Sequence, residues 1–148
     1  LSTAAFRTEQ DSAKVKGVVA AIRTEGAAKI LPTLVDRWFT EGFAASNPAA
    51  IQARLQQVLD TPENVFAAVF DIYAGTEMGS WLPQVDAPCL VLTGENDAGC
   101  NPRLNGLIDA ALPNSELVIL PDLRHSILIE APQLVASHVG AFLDRIHA

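Results

Sequence analysis

The hydrophobic positions in the first eighty or so residues recur at helical spacing. Val15, Val18, Val19 and Ile22 lie about one helical turn apart, and Gly26 interrupts the pattern. The spacing resumes in "LPTLVDRWF" and stops at "TEGFAASNP". Two further helices are predicted in "PAAIQARLQQVLD" and "TPENVFAAVFDIYAG". This part of the chain is therefore predicted to be helical.

Proline and short polar residues mark where two of these helices begin. Ser46 or Asn47 is predicted to cap the helix that starts at Pro48, and Thr61 is predicted to cap the helix that starts at Pro62. Proline suits the first turn because its missing N–H would have no intrahelical partner there.

The pattern changes near "MGSWLPQVDAP". "CLVLTG" and "SELVILP" are short apolar runs typical of buried parallel strands, whereas "PRLNGLIDAAL" and "PQLVASHVGAFLDRIHA" have helical spacing. Alternating strands and helices predict an α/β fold with a parallel sheet. We therefore expect a helical region in residues 1–82 and an α/β region in residues 83–148. Two strands are too few for a stable sheet, so we also expect a strand from outside this sequence beside residues 89–93.

Composition and charge exclude several classes of partner. The chain has 148 residues, of which 49% are hydrophobic and 18% charged, as in ordinary globular proteins. Its formal charge of −7 and scattered basic residues argue against nucleic acid or an anionic membrane surface as a partner. No apolar run is long enough for a membrane span, and no signal peptide is recognisable. The sequence therefore predicts a soluble, cytoplasmic protein.

Two polar residues follow the predicted strands and are the candidates for chemistry. Asp97 lies in the loop after the first strand, and His125 in the loop after the second. The carboxyl ends of neighbouring parallel strands lie close together, so the two side chains can meet if the strands are adjacent. Taken singly, each has an ordinary structural alternative: a loop or capping aspartate, and a buried structural histidine.

The remaining polar residues carry weaker alternatives. Glu95 and Asn96 beside Asp97 raise the question of a metal, but the spacing lacks the alternating ligands and final glutamate of a calcium loop. Cys89 and Cys100 do not have the spacing of a zinc site, and we expect two free thiols. These spacings do not predict a metal site.

The stretch "PCLVLTGENDAGCNP" together with "ALPNSELVILPDLRHSILIEAPQLV" resembles the C-terminal half of an α/β-hydrolase. In that family a nucleophile, an acid and a histidine follow one another along the chain. The resemblance implies that Asp97 is the acid and His125 the base, with Arg124 where the family usually has glycine. "VDRWFTEGF" is similar to the cap of the enol-lactonase and carboxylesterase branch. The helical region would then be a cap, with Trp38 in the substrate pocket.

The resemblance also implies what lies outside the sequence. No G-x-S-x-G motif is present, so the nucleophile and oxyanion hole would lie upstream of Leu1. We expect the complete protein to hydrolyse carboxylic esters or lactones without a cofactor, using an N-terminal half supplied as a separate chain. This chain alone would be inactive. The alternative is a non-catalytic binding or assembly module that keeps the fold, and the upstream sequence would distinguish the two.

Overall fold

The computed structural model describes residues 1–147 and places a group of helices ahead of a two-stranded sheet. The first group is α1 (Glu9–Glu25), α2 (Ala27–Trp38), α3 (Glu41–Ser46), α4 (Pro48–Asp60) and α5 (Glu63–Gly75). A short 3-10 turn (Leu82–Gln84) leads to β1 (Cys89–Gly94), α6 (Pro102–Ala111), β2 (Ser115–Leu120), α7 (Ile127–Glu130) and α8 (Pro132–His147).

Local sequence explains most of the helix boundaries. Gly26, at φ 86°, separates α1 from α2, as the interrupted pattern predicts. Pro48 occupies the first turn of α4. The predicted Thr61 cap is wrong, because the Thr61 hydroxyl donates to the carbonyl of Gln57 in the preceding helix. Helix α5 instead starts directly after Pro62.

The two strands are parallel neighbours, which confirms the predicted α/β arrangement. Their register pairs Cys89 with Ser115 and Gly94 with Leu120. The last four residues of β1 are buried, as its unbroken apolar run predicts. Helices α6 and α8 cover opposite faces of this sheet: Val91 packs with Ile108 of α6, and Leu92 packs with Val135 of α8.

The core is divided between the two parts of the chain. One cluster lies among the N-terminal helices, and two smaller clusters lie on the faces of the sheet. The members of the helical cluster are Ile22, Ala27, Leu31, Leu34, Trp38, Phe39, Val58, Phe66 and Ala67. In the described part of the chain, no helix combines the length and apolar character that crossing a bilayer requires.

The edge of β1 that faces away from β2 is contacted by the first residues of the chain. The N–H of Cys89 donates toward the β2 side, to the carbonyl of Asn114 (2.9 Å), so Leu92, three residues on, points its carbonyl the other way. That carbonyl accepts a hydrogen bond from the N–H of Ser2, at 2.8 Å. The segment then continues past the end of β1, where Ala4 packs with Cys100 and Leu104.

Candidate active site

The Asp97 side chain is fixed by its own loop. One carboxylate oxygen, Oδ1, accepts hydrogen bonds from the N–H groups of Gly99 (2.9 Å) and Cys100 (2.8 Å). The carbonyl of Cys100 in turn accepts from the buried side chains of Thr93 (2.8 Å) and Asn105 (2.7 Å). The partners of Oδ1 and of the Cys100 carbonyl all lie within eight residues of Asp97, so local sequence fixes this side of the carboxylate.

The His125 loop continues the contact between the two strands. The N–H of Glu95 donates to the carbonyl of Leu120 at 2.8 Å, and the N–H of Asn96 donates to the carbonyl of Leu123, also at 2.8 Å. Gly94 lies against this loop so closely that a Cβ there would be 2.3 Å from the carbonyl oxygen of Arg124. Glycine at the end of β1 therefore permits the approach of the two loops.

The structure brings the two sequence-predicted residues together. Nδ1 of His125 lies 2.7 Å from Oδ2 of Asp97, inside the hydrogen-bonding range. The Asp97 side chain is 1% exposed and that of His125 is 37% exposed. An ionised carboxylate can only accept, so Nδ1 carries the proton of this bond and Nε2 is left for another group.

The pair perturbs the pKa values of both residues. Burial disfavours the Asp97 carboxylate, but hydrogen bonds from His125 and from backbone N–H groups outweigh that effect and lower the pKa of Asp97. Burial also disfavours the His125 imidazolium, but the bond to Asp97, together with the nearby Cys100 side chain, outweighs it and raises the pKa of His125 to about 10. Both shifts therefore stabilise the ion pair between the Asp97 carboxylate and the His125 imidazolium, the form that a general base reaches once it has accepted a proton.

The His125 loop is also attached to the helical region. The N–H of Ser126 donates to the carbonyl of Trp38, at 2.8 Å. Nη1 of Arg124 donates to the carbonyls of Asp36 (2.6 Å) and Phe39 (2.8 Å) at the C-terminal end of α2. The last carbonyls of a helix lack intrahelical hydrogen-bond donors and lie at the negative end of the helix dipole, so the positive charge of Arg124 is stabilised there.

A glutamate at the end of α7 completes this attachment. Oε1 of Glu130 accepts hydrogen bonds from the N–H (2.8 Å) and the hydroxyl (2.6 Å) of Thr40.

Arg124 has an ordinary backbone conformation. Among residues 1–147 the left-handed non-glycine positions are Ser2, Phe6 and Asp122. The loop thus makes its sharp turn at Asp122 (φ 58°), which frees the position before His125 for a long side chain.

A cavity of about 380 Å³ opens above the pair, between the helical region and the carboxyl ends of the strands. Trp38 lies in its wall and is buried, with the guanidinium of Arg54 5.1 Å from its ring centre. Phe70 also lines the cavity, whereas Trp81 is 57% exposed on the surface. The volume falls in the range of small-molecule pockets.

Sequence reasoning missed the surroundings of Cys100. Cys100 is a free thiol, as predicted, but it is buried at the base of the cavity. Its sulfur lies 3.4 Å from the hydroxyl of Tyr73, and the Asp97, Cys100 and His125 side chains offer ligand atoms within 4.8 Å of one another. Glu95 and Asn96, the acceptors first considered for a metal, are exposed. The available signal was the position of Cys100 three residues after Asp97.

Comparison with known proteins identifies the fold. No family model matches the chain. The chain is 23% identical over 126 residues to 3-oxoadipate enol-lactonase 2 of Acinetobacter baylyi, covering 85% of this chain and 47% of that protein. A thermophilic esterase from Thermogutta terrifontis superposes with a TM-score of 0.81 at 25% identity, over 98% of this chain and 54% of that one. The enol-lactonase from Burkholderia xenovorans gives a TM-score of 0.82 at 22% identity, over 86% and 49% respectively.

These likenesses define the fold of the chain. It is the fold of the α/β-hydrolases, which confirms the resemblance seen in the sequence. More particularly, the chain corresponds to the C-terminal part of that fold, and it spans about half the length of the relatives it matches.

Proposed function

We propose that this chain supplies the acid and the base of an ester- or lactone-hydrolysing α/β-hydrolase, whose nucleophile comes from the part of the fold that the chain does not span. The observation that carries the proposal is the 2.7 Å contact between His125 Nδ1 and Asp97 Oδ2 at the base of a cavity. The names of the relatives, an esterase and two enol-lactonases, support the choice of reaction.

In the proposed mechanism, Nε2 of His125 takes the proton from the nucleophile as the nucleophile attacks the substrate carbonyl. Asp97 holds the imidazole with its proton on Nδ1 and stabilises the imidazolium. His125 then protonates the leaving alkoxide, and afterwards removes a proton from the water that releases the acyl group. The carboxyl ends of parallel strands are where such groups are usually placed.

The helical region would act as the cap of this enzyme. Helices α1, α2 and α5 contribute apolar walls to the cavity above His125, including Val18, Trp38 and Phe70. Such walls exclude water from a developing oxyanion and contact the apolar part of a substrate. Trp38 is therefore proposed as a substrate-binding residue, and residues 1–82 as the cap.

The free edge of β1 indicates how the rest of the fold would attach. Ser2 already pairs with Leu92, and the chain runs from there in the same direction as β1, toward Cys100 and Leu104. A strand that continued into Leu1 would lie parallel to β1 and pair with Leu90. The sequence predicts a separate N-terminal polypeptide at this edge; the Ser2 contact favours a strand joined directly to residue 1.

The test uses the longer protein that contains this chain. We expect p-nitrophenyl acetate to give a burst of p-nitrophenol followed by slower turnover, since an acyl-enzyme forms before it is hydrolysed. His125→Ala should abolish the burst. Asp97→Asn should lower kcat by roughly ten-thousandfold, the scale of the corresponding change in serine proteases. The matched control is His138→Ala, which removes a histidine of α8 and should leave the burst unchanged.

Two results would contradict the proposal. A burst that survives His125→Ala would show that His125 is not the general base. A decrease in kcat of less than tenfold in Asp97→Asn would show that Asp97 is not the acid of the triad. A longer protein with no nucleophile after a strand, and no esterase activity, would favour the binding-module alternative instead.

A further inference from the structure

Cys100 is the reactive group that the proposed mechanism does not use. It is 3% exposed, and its backbone is held on both sides of its Cα: the N–H donates to Asp97, and the carbonyl accepts from Thr93 and Asn105. Its sulfur lies within 4.8 Å of a ligand atom of Asp97 and of His125.

We propose that Cys100, His125 and Asp97 form a binding site for a Zn²⁺-like divalent cation. Thiolate, imidazole and carboxylate are the three side-chain donors that zinc uses in proteins. One donor atom from each residue lies within 4.8 Å of the other two. Around a tetrahedral zinc, neighbouring donors are roughly 3.4 to 3.6 Å apart, so small side-chain rotations bring the three to a common centre.

The surroundings suit a cation at this place. Asp97 and Cys100 are buried, whereas His125 is partly exposed to the cavity, which provides a route of entry. The Tyr73 hydroxyl, 3.4 Å from the sulfur, can donate a hydrogen bond to the thiolate. The fourth position faces the cavity and would be taken by water.

Metal binding and the Asp97–His125 hydrogen bond exclude each other when Nδ1 is the ligand. Starting from the imidazolium, the cation replaces the Nδ1 proton and leaves a neutral ring with its proton on Nε2, and binding releases the Nδ1 proton and the Cys100 thiol proton to the solvent. The 2.7 Å separation of His125 and Asp97 must then open by less than about 1 Å to reach the spacing of zinc ligands. If the proposed function holds, a cation bound to His125 prevents this residue from acting as the general base, and the cation therefore inhibits the enzyme.

The experiment is done on the longer protein that contains this chain, without a histidine tag, and it measures metal binding, so its outcome does not depend on hydrolase activity. Titration with Co²⁺ should give a thiolate-to-cobalt charge-transfer band that saturates at one equivalent. Zn²⁺ should displace the cobalt and bind with a Kd on the order of 1 µM or tighter. Cys100→Ser should lose the band and weaken Zn²⁺ binding at least about tenfold, because it removes a direct ligand. Cys89→Ser, at the other free thiol, is the matched control and should behave as the parent chain.

A second measurement covers the case in which Cys100→Ser does not fold. In the parent chain, Zn²⁺ should shift the imidazole ¹⁵N resonance of His125 and leave those of His138 and His147 unchanged. A cobalt band that survives Cys100→Ser, a band lost in Cys89→Ser, no saturable binding, or a shift confined to His138 or His147 would each overturn the proposal.

Discussion

The loops that carry Asp97 and His125 end neighbouring strands, yet they are held in place by different means. Asp97 is positioned by backbone N–H groups two and three residues away. The loop of His125 is attached through Arg124 and Ser126 to α2, more than eighty residues earlier in the sequence. One half of the pair is thus a local structure, and the other depends on the packing of the helical region.

This difference has a consequence for the geometry of the pair. A change at the end of α2 can move His125 relative to Asp97, whereas the Asp97 loop contacts the helices through the Cys100 sulfur, 3.4 Å from the Tyr73 hydroxyl of α5. In a hydrolase of the proposed kind, contacts at the end of α2 would therefore affect the alignment of the base. Glu130 and Thr40 belong to the same attachment, because their hydrogen bonds join α7 to the start of α3.

The largest effect is expected at the point where the two loops touch. Gly94→Ala places a Cβ 2.3 Å from the carbonyl oxygen of Arg124 and 2.5 Å from that of Leu123, and backbone atoms cannot move aside cheaply. We expect a loss of about 1–3 kcal/mol or more in the free energy of unfolding, measured by urea denaturation. The control is Gly140→Ala in α8, where nothing lies within 4 Å. Gly140→Ala should raise the free energy of unfolding by about 0.5–1 kcal/mol, because alanine is favoured over glycine inside a helix.

An unchanged urea midpoint in Gly94→Ala would show that the two loops are not in close contact in solution.

A smaller effect, confined to one loop, is expected for Arg124→Ala. The substitution removes two charge-assisted hydrogen bonds to carbonyls of α2, from a side chain 28% exposed. We expect a destabilisation of about 1–2 kcal/mol. In hydrogen exchange, the amide of Ser126 should lose protection, while those of Gly99 and Cys100 should keep theirs. Equal loss in both loops would contradict the division between local and distant attachment.

Arg145→Ala is the matched control for this experiment. Arg145 pairs with Glu116 on the surface, and both side chains are substantially exposed. Its removal should cost at most about 1 kcal/mol. The hydrogen-exchange protection of the Ser126 amide should not change in Arg145→Ala.

The same division explains what could be predicted from the sequence. The strands and the meeting of Asp97 with His125 were predictable, because an apolar run identifies each strand and adjacent parallel strands bring their following loops together. The burial of β2 was not, since only Leu120 of that strand is buried. The attachment of Arg124 to α2 was not, because no local pattern connects an arginine to a carbonyl at a sequence separation of 85. The burial of Cys100 was missed for a related reason: its loop is polar, and the groups that cover it come from Ala4 and Tyr73.

The smallest effect concerns pH and the Asp97–His125 pair. The pKa of His125 is raised from 6.5 in the unfolded chain to about 10, so between these values the folded chain holds a proton that the unfolded chain lacks. Stability from this group is therefore complete below about pH 6.5 and is lost as pH rises through 10. Asp97 has the opposite sign: its lowered pKa stabilises the fold above its ordinary value near 3.8, and this contribution is lost as pH falls through the lowered pKa. The urea midpoint should thus decline from pH 6.5 to pH 10. The decline should be modest because the imidazole is partly solvated.

Asp97→Asn should flatten that decline and return the His125 pKa, followed by NMR, toward 6.5. His138→Ala serves as control and should leave the slope as it is, whereas an equally steep decline in Asp97→Asn would mean that another group produces it.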